Sequence, residues 1–328
     1  MRLDDIDKKL VNAVQKDFPL IGEPFSALGL RLGINSNEVL RRIERLKADG
    51  VVGQIGPVFD ARRLGYQTTL AAIQVAENQL PQAAQAINQH PGVSHCYERE
   101  HHFNLWFTLA VPVSTDMENE LHKLGSVVGA EVILNLPAVR IFKIGAYFDV
   151  AGDNESLPNT GVNHTSLLSE NIDLSSIIER AVINELQTDL PLVPRPFDMI
   201  SARLSMDVEE FLNQCRCLHQ RGIMRRFGAL IRHSRVGFVA NAVACWVAEP
   251  AIVEVAGRKI AEFREISHCY QRRTTHLWPY NLFGVIHSRS REVCNGIVER
   301  ISQKTGLDKY VVLFSSREFK KVRVKYSV

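Results

Sequence analysis

The stretch D-F-P-L-I-G-E-P-F, Asp17 to Phe25, returns later in the chain as D-L-P-L-V-P-R-P-F, Asp189 to Phe197. Downstream of each copy the spacing is kept. Gly50 answers Gly222, and the run from Gly56 to Gly65-Tyr66 answers the run from Gly228 to Gly237-Phe238, every pair 172 positions apart. Further on, S-H-C-Y at Ser94–Tyr97 recurs at Ser267–Tyr270, and N-L-W from Asn104 recurs as N-L-F from Asn281. A constant offset that drifts by a few residues late in the chain marks duplication and fusion, so one structural unit is used twice.

Composition is compatible with two globular halves. The chain has 328 residues with 45% hydrophobic content, enough to bury substantial cores. A net charge of +3 is too small to argue for nucleic acid by itself. No apolar run reaches membrane-spanning length, and the start, Met-Arg-Leu-Asp-Asp, lacks a signal peptide's apolar core, so no membrane role and a cytoplasmic location are expected. The six cysteines form no C-x-x-C pair, and Cys215 and Cys217 are too close for a zinc half-site. Reduced core thiols and no metal site are expected.

Periodicity divides each half in two. Leu3, Ile6, Leu10, Val11 and Val14 form one stripe of a first helix. Pro24 opens a second helix to Leu32, stopped by Gly33, and Asn35 or Ser36 caps a third carrying Val39, Ile43 and Leu46, ended by Gly50. Val51–Phe59 reads as a short hairpin or wing. Three helices and a wing make a winged helix-turn-helix. After Gly65 the period changes: strand Tyr66–Val75, helix Leu80–Gln89, strands Val93–Arg99 and Asn104–Val111, helix Thr115–Val127 capped by Thr115 or Ser114, strand Val132–Phe142. That βαββαβ order is ferredoxin-like. The second half repeats it. The expected fold is α+β: winged helix 1–60, ferredoxin-like 61–150, a Gly/Asn/Ser-rich linker 151–171, winged helix 172–232, ferredoxin-like 233–328, the halves packed as a pseudo-dimer.

A two-fold DNA reader needs two competent recognition helices. The first copy offers Arg41, Arg42, Arg45 and Lys47, but the matching positions of the second are Asn213, Gln214, Cys217 and His219. One basic helix would forfeit roughly half the phosphate contacts, on which affinity depends steeply. A solvated basic helix face is the preferred reading, and DNA binding is argued against.

The chemistry concentrates in the central hairpins. The first holds His95, Tyr97, Arg99, His101, His102, Asn104 and Trp106; the second holds His268, Tyr270, Arg272, Arg273, His276, Trp278, Tyr280, Asn281 and His287. Strand alternation puts His95, Tyr97 and Arg99 on one face. Aromatic planes beside guanidiniums suit a large flat ligand with many carboxylates. Each residue also has a structural reading: the asparagines as hairpin ties, the tryptophans as core, and His90, His122, His164, His219 and His233 as surface or satisfied core groups.

The order of parts, with L-D-x-x-D-x-x-L at Leu3–Leu10 and R-R-I-x-x-L at Arg41–Leu46, resembles the Lrp/AsnC family. The F-P-L and P-F segments, H-x-x-N-L-W-F at His101, W-P-Y-N-L-F at Trp278 and R-R-F-G-A at Arg225–Ala229 are similar to the sirohaem decarboxylase branch of that superfamily, in its fused two-subunit form. The resemblance implies a lyase of haem biosynthesis that converts two acetate side chains of sirohaem to methyl groups. Its iron enters with the substrate, and no separate cofactor is implied. The implied roles are His101 and His276 as first choices for proton donor, with His95 and His268 beside them, and substrate binding by Arg99, Arg272, Arg273, Tyr97, Tyr270, His102, Asn104, Trp106, Trp278, Tyr280, Asn281 and His287. Other enzymes of the haem pathway and a second copy of the chain are the further partners the resemblance allows. The competing class is an Lrp/AsnC-type regulator that binds DNA and a small effector.

Overall fold

The computed structural model describes residues 3–145, 147–152 and 176–328; most of the linker predicted at 151–171 lies outside them. The first helical domain consists of α1 (Asp5–Lys16), α2 (Pro24–Leu32) and α3 (Ser36–Ala48). Local chemistry sets their ends. Asp4 and Asp7 exchange reciprocal side-chain to amide bonds at the start of α1. Gly33 in the left-handed region closes α2, and the Asn35 side chain caps α3. The second repeat builds α6 (Ile177–Leu186), α7 (Pro196–Arg203) and α8 (Val208–Gln220). The two sets do not have separate interiors. Leu10, Val14, Phe25, Ile43 and Leu46 share one core with Val182, Leu186, Phe197, Phe211 and Leu218.

The segment expected to be a hairpin or wing is a correction. Its single strand β1 (Val52–Phe59) does not fold back on itself but pairs antiparallel with β6 (Met224–Ile231) of the other repeat. Equivalent segments related by a two-fold supply each other's hydrogen bonds, which a one-strand wing could not satisfy alone.

Beyond the ribbon, each repeat makes its βαββαβ sheet. The first has β2 (Tyr66–Ile73), α4 (Leu80–Gln89), β3 (Val93–Arg99), β4 (Leu105–Pro112), α5 (Met117–Val127) and β5 (Ile133–Ile144). The second has β7 (Ala240–Trp246), α9 (Val253–Glu262), β8 (Ile266–Arg272), β9 (Leu282–Ser288), α10 (Arg291–Thr305) and β10 (Tyr310–Lys321). The cap of α5 is Asp116, whose carboxylate reaches the Glu118 and Asn119 amides, not Ser114 or Thr115. β5 pairs with β8 and β10 with β3, so eight strands close into one barrel, β10-β3-β4-β2-β5-β8-β9-β7. Each sheet's open edges are thus covered by the other repeat. Helices cover the outside, over Ala71, Cys96 and Phe107 in one half and Ala242, Cys269 and Ile286 in the other. Trp106, Leu134, Leu136, Val243, Phe283 and Leu313 fill part of the inside.

Candidate active site in the barrel

Two matching columns run along the barrel interior. On β3 the rings of His95 and Tyr97 stack with centroids 6.3 Å apart, and the Arg99 guanidinium lies 5.3 Å from the Tyr97 ring centre. On β8, His268 and Tyr270 stack at 6.1 Å, and Arg272 lies 4.8 Å from Tyr270. Alternation along an extended strand is enough to produce this. A neighbouring hydroxyl holds Nδ1 of each imidazole: Ser94 Oγ at 2.9 Å from His95, Ser267 Oγ at 3.0 Å from His268. The nitrogen each ring has left for other work is Nε2.

The histidines and tyrosines of the columns keep accessible surface although protein encloses them. His95 and His268 stand at the barrel end from which the chain continues to the helical domains, where His95 pairs with Lys321 and His268 with Ile144. Enclosure shows in their acidity. Burial, with the Lys321 charge, pushes His95 down to about 4. Burial, with His95, Arg226, Lys321 and Arg225 nearby, pushes His268 down to about 3. His287 is driven well below its ordinary value by burial and by the charge of its neighbours. Burial raises Tyr97 and Tyr270 and lowers both Arg99 and Arg272 to about 10.

The cations stand out for what they lack. Among the described residues, no carboxylate forms an ion pair with Arg99, Arg272, Arg226 or Lys321. Arg99 Nη1 donates to the Leu313 carbonyl at 2.9 Å and Arg272 Nη1 to the Leu136 carbonyl at 2.7 Å, while Arg272 Nε has no partner among the described residues. Enclosed positive charge without counter-charge costs stability. An anionic ligand would supply what is missing.

Other predicted site residues are placed elsewhere. Asn104 and Asn281 are hairpin ties: Asn104 Oδ1 accepts from the Val75 amide at 2.9 Å and its Nδ2 donates to the Val75 carbonyl at 2.7 Å, and Asn281 does the same with Ala248. Trp106 is core, its Nε1 donating to the Phe103 carbonyl at 2.7 Å. Trp278 is buried against Trp106 and Tyr280. His101 accepts from the Phe103 amide at 3.0 Å and packs on Trp278, beside a surface cleft of about 400 Å³ shared with Glu98, Glu100 and Arg317. It lies beyond the end of β3, six positions along the chain from His95. His102, Arg273 and His276 are exposed. The extra residues of the second hairpin, closed by a bridge between Thr275 and Trp278, carry His276 outward. The hairpin turns therefore do not gather the histidines; the strands do.

The reading from sequence missed Lys321, Arg226, Phe148 and His233. Phe148 sits edge-on to His287 at 5.1 Å, and His233 and His287 are 4.6 Å apart. The repeat itself carried a signal for one of these, since His233 aligns with Ala61 just as the predicted His287 aligns with Ala110.

The basic helix is internally neutralised. Arg42 bonds Asp4 and Asp7 at 2.7 Å and Glu38 at 2.6 Å, Arg45 bonds Asp7 at 2.5 Å, Arg41 pairs with Glu38, and Lys47 pairs with Asp189. Its charge serves the helical domain, and the regulator reading is not favoured.

Paired helix-turn-helix domains fused to a closed ferredoxin-like barrel define a protein of the AsnC-like class. The model of the AsnC-like ligand binding domain matches residues 63–143 and 235–320, and that of the "Siroheme decarboxylase NirDL-like HTH domain" matches residues 7–52 and 179–225. The siroheme decarboxylase of Hydrogenobacter thermophilus is 41% identical over 97% of this chain and 94% of its own. A siroheme decarboxylase beta subunit of Methanosarcina barkeri is 38% identical over 43% of this chain and 92% of its own, so one repeat corresponds to one subunit. The crystal structure of the siroheme decarboxylase NirDL in complex with an iron-uroporphyrin III analogue superposes with a TM-score of 0.70 at 37% identity, covering 99% of this chain and 95% of that one. The chain belongs to the sirohaem decarboxylase NirDL-like family. It is an enzyme of the carboxy-lyase class. No helix among the described residues is long and apolar enough to cross a membrane.

Proposed function

We propose that the protein removes carbon dioxide from two acetate side chains of sirohaem, leaving methyl groups, with the macrocycle held between the two His-Tyr-Arg columns. The observation that carries this is the set of enclosed cations without carboxylate partners, Arg99, Arg272, Arg226 and Lys321, around tyrosine rings. The relatives' names and the NirDL complex support the same substrate class.

The residues divide the work. Arg99 and Arg272 anchor carboxylates that do not react. Tyr97 and Tyr270 face the ring plane. The reacting acetate sits away from the guanidiniums, because pairing would stabilise the ground state and slow the step. Carbon–carbon cleavage leaves an electron pair on the methylene, delocalised into the conjugated iron-bound ring of the substrate, so no further cofactor is required. The proton for that carbon comes from an imidazole of the columns, His95 or His268. Burial keeps both imidazoles neutral in the unliganded protein. The substrate's own carboxylates, within about 4–6 Å, reverse this bias and charge them. His276, exposed, and His101, beyond the barrel, are not assigned this role.

Anaerobic incubation with sirohaem and then mass spectrometry tests the reading. A product lighter by two carbon dioxides is expected; recovery of unchanged sirohaem would overturn it.

A further inference from the structure

The two columns are alike, but what stands behind them is not. Thr108 pairs with His95 across β3 and β4, and Ala110 comes next on the same face. Val285 pairs with His268 across β8 and β9, and His287 comes next on the same face. Ala110 and His287 are thus equivalent and diagonal to their column's histidine. The Ala61 carbonyl accepts from the Tyr66 amide as the His233 carbonyl accepts from the Phe238 amide, so Ala61 and His233 are equivalent too. Behind His95 stand two methyl groups; behind His268 stand two imidazoles.

Those imidazoles adjoin but share no hydrogen bond, so a small ring rotation completes any transfer between them. Their ring centroids are 4.6 Å apart. His233 Nδ1 is held 2.8 Å from the Phe238 carbonyl, which fixes it as the N–H nitrogen. His233 Nε2 and His287 Nδ1 are both buried with no hydrogen-bond partner among the described residues. Phe148 closes the side of the pair, 5.1 Å from His287 and 5.8 Å from His233. His233 belongs to the short turn His233–Val236, whose Ser234 and Arg235 are exposed. The other charged or titratable groups acting on the pair are Lys321 and Glu318 from β10, Arg99 from β3 and His268 from β8, while His95, Arg225 and Arg226 act on His268 itself.

We propose that proton supply is one-sided: His233 and His287 form a relay into His268 that His95 lacks, so His268 alone is reloaded and protonates the substrate after each decarboxylation. This rests on the decarboxylase reading. In each cycle the bond from methylene to carboxyl carbon breaks and carbon dioxide leaves. The electron pair left on the methylene takes the proton of the His268 imidazolium, forming the methyl C–H bond. His268, now neutral, takes a proton from His287, and His287 takes one from His233 Nε2; with Nδ1 held on the Phe238 carbonyl, His233 regains its proton at Nε2, from water admitted when the turn opens. One proton enters and one carbon dioxide leaves per acetate. With one renewable acid, the two acetates react in succession, and a monodecarboxylated intermediate forms.

Single-turnover decarboxylation by the full chain under anaerobic conditions, with sirohaem binding monitored by absorbance, tests this. H287A and H233A are expected to slow both decarboxylations by about tenfold or more, with binding retained, and H268A to lose roughly tenfold more rate than H95A. Added imidazole should restore part of the H287A rate, which a purely structural loss would not permit. H233N keeps a donor for the Phe238 carbonyl but cannot relay a proton; a slow H233N with an unchanged melting temperature supports the relay. Equal losses in H95A and H268A, or normal rates in H287A and H233N, overturn the relay alone. A wild-type chain that binds sirohaem and releases no carbon dioxide overturns the decarboxylase reading and the relay with it.

Discussion

Gly56 of the first repeat pairs with Gly228 of the second, its own counterpart 172 positions later, at the centre of the ribbon between β1 and β6. A residue that faces its own copy marks the pseudo-two-fold axis. The same axis relates β5–β8 to β10–β3, where Ile141 meets Tyr270 and Glu318 meets Tyr97. The duplication is therefore not two domains side by side. Each repeat completes the ribbon, the helical core and the barrel of the other.

This makes the halves interdependent. Residues 1–150 and 172–328 expressed separately should each expose a sheet edge and the apolar face of the helical core. Each alone is expected to be inactive towards sirohaem and prone to association, and mixing them should restore activity. Full activity in either isolated half would show that the site does not need the pair.

Gly228 also has no room for a side chain. A Cβ there would meet the Val14 carbonyl at 2.8 Å and the Gln15 carbonyl at 2.9 Å, both backbone atoms of α1. Gly228→Ala should destabilise the protein by about 1–3 kcal/mol, the usual range for overpacking. Chemical denaturation of the variant checks it, and an unchanged midpoint would contradict the packing described.

The sequence showed the elements more clearly than their partners. Capping chemistry and helical periodicity are local, so Asn35, Gly33 and Pro24 marked the ends of their helices correctly. β1 was misread because a strand's partner is not local, and here it lies in the other repeat. Within the site, alternation along β3 and β8 identified the His-Tyr-Arg columns. The turn residues were over-valued, since nothing in W-P-Y-N-L-F says that His276 faces outward while Trp278 is buried. Lys321 and Arg226 come from segments that only closure of the barrel and ribbon brings near the column histidines, and spacing along the chain cannot show that.

Acid should weaken the fold before the carboxylates titrate. A free histidine takes up a proton near pH 6.5, but His95 resists until about pH 4 and His268 until about pH 3. Between those limits the unfolded chain binds more protons than the folded one, so stability falls as pH falls from about 6.5 towards 4. Each of the two contributes about 2 kcal/mol of loss at pH 5. Denaturation midpoints at pH 7 and pH 5 measure it; an equal or higher midpoint at pH 5 would mean these imidazoles are not enclosed as described.

Sequence-specific retention of DNA is not expected. Arg42 is committed to Asp4, Asp7 and Glu38, and the second repeat has no matching basic helix. A gel-shift selection on random duplexes should enrich no motif. Enrichment with a steep salt dependence would restore the regulator reading.

Replacing the enclosed arginines should reverse the usual sign of a core substitution. Ordinary core residues stabilise, so truncating them costs stability. Arg272 and Arg99 are enclosed cations with no ion-pair partner among the described residues, and burial lowers both to about 10. Replacing such a charge with an apolar side chain of similar length is often neutral or stabilising. Arg272→Met gives up one bond to the Leu136 carbonyl and relieves an Nε without a partner. Its thermal midpoint should hold or rise, while sirohaem binding weakens by about 1.5–3 kcal/mol, the worth of a hydrogen bond to a charged group. Arg99→Met should behave alike, since its guanidinium also rests on a single backbone carbonyl, that of Leu313. Absorbance titration with sirohaem and a melting curve on each variant separate the two effects. Loss of stability with unchanged binding would make these arginines structural and leave the two columns without their carboxylate anchors.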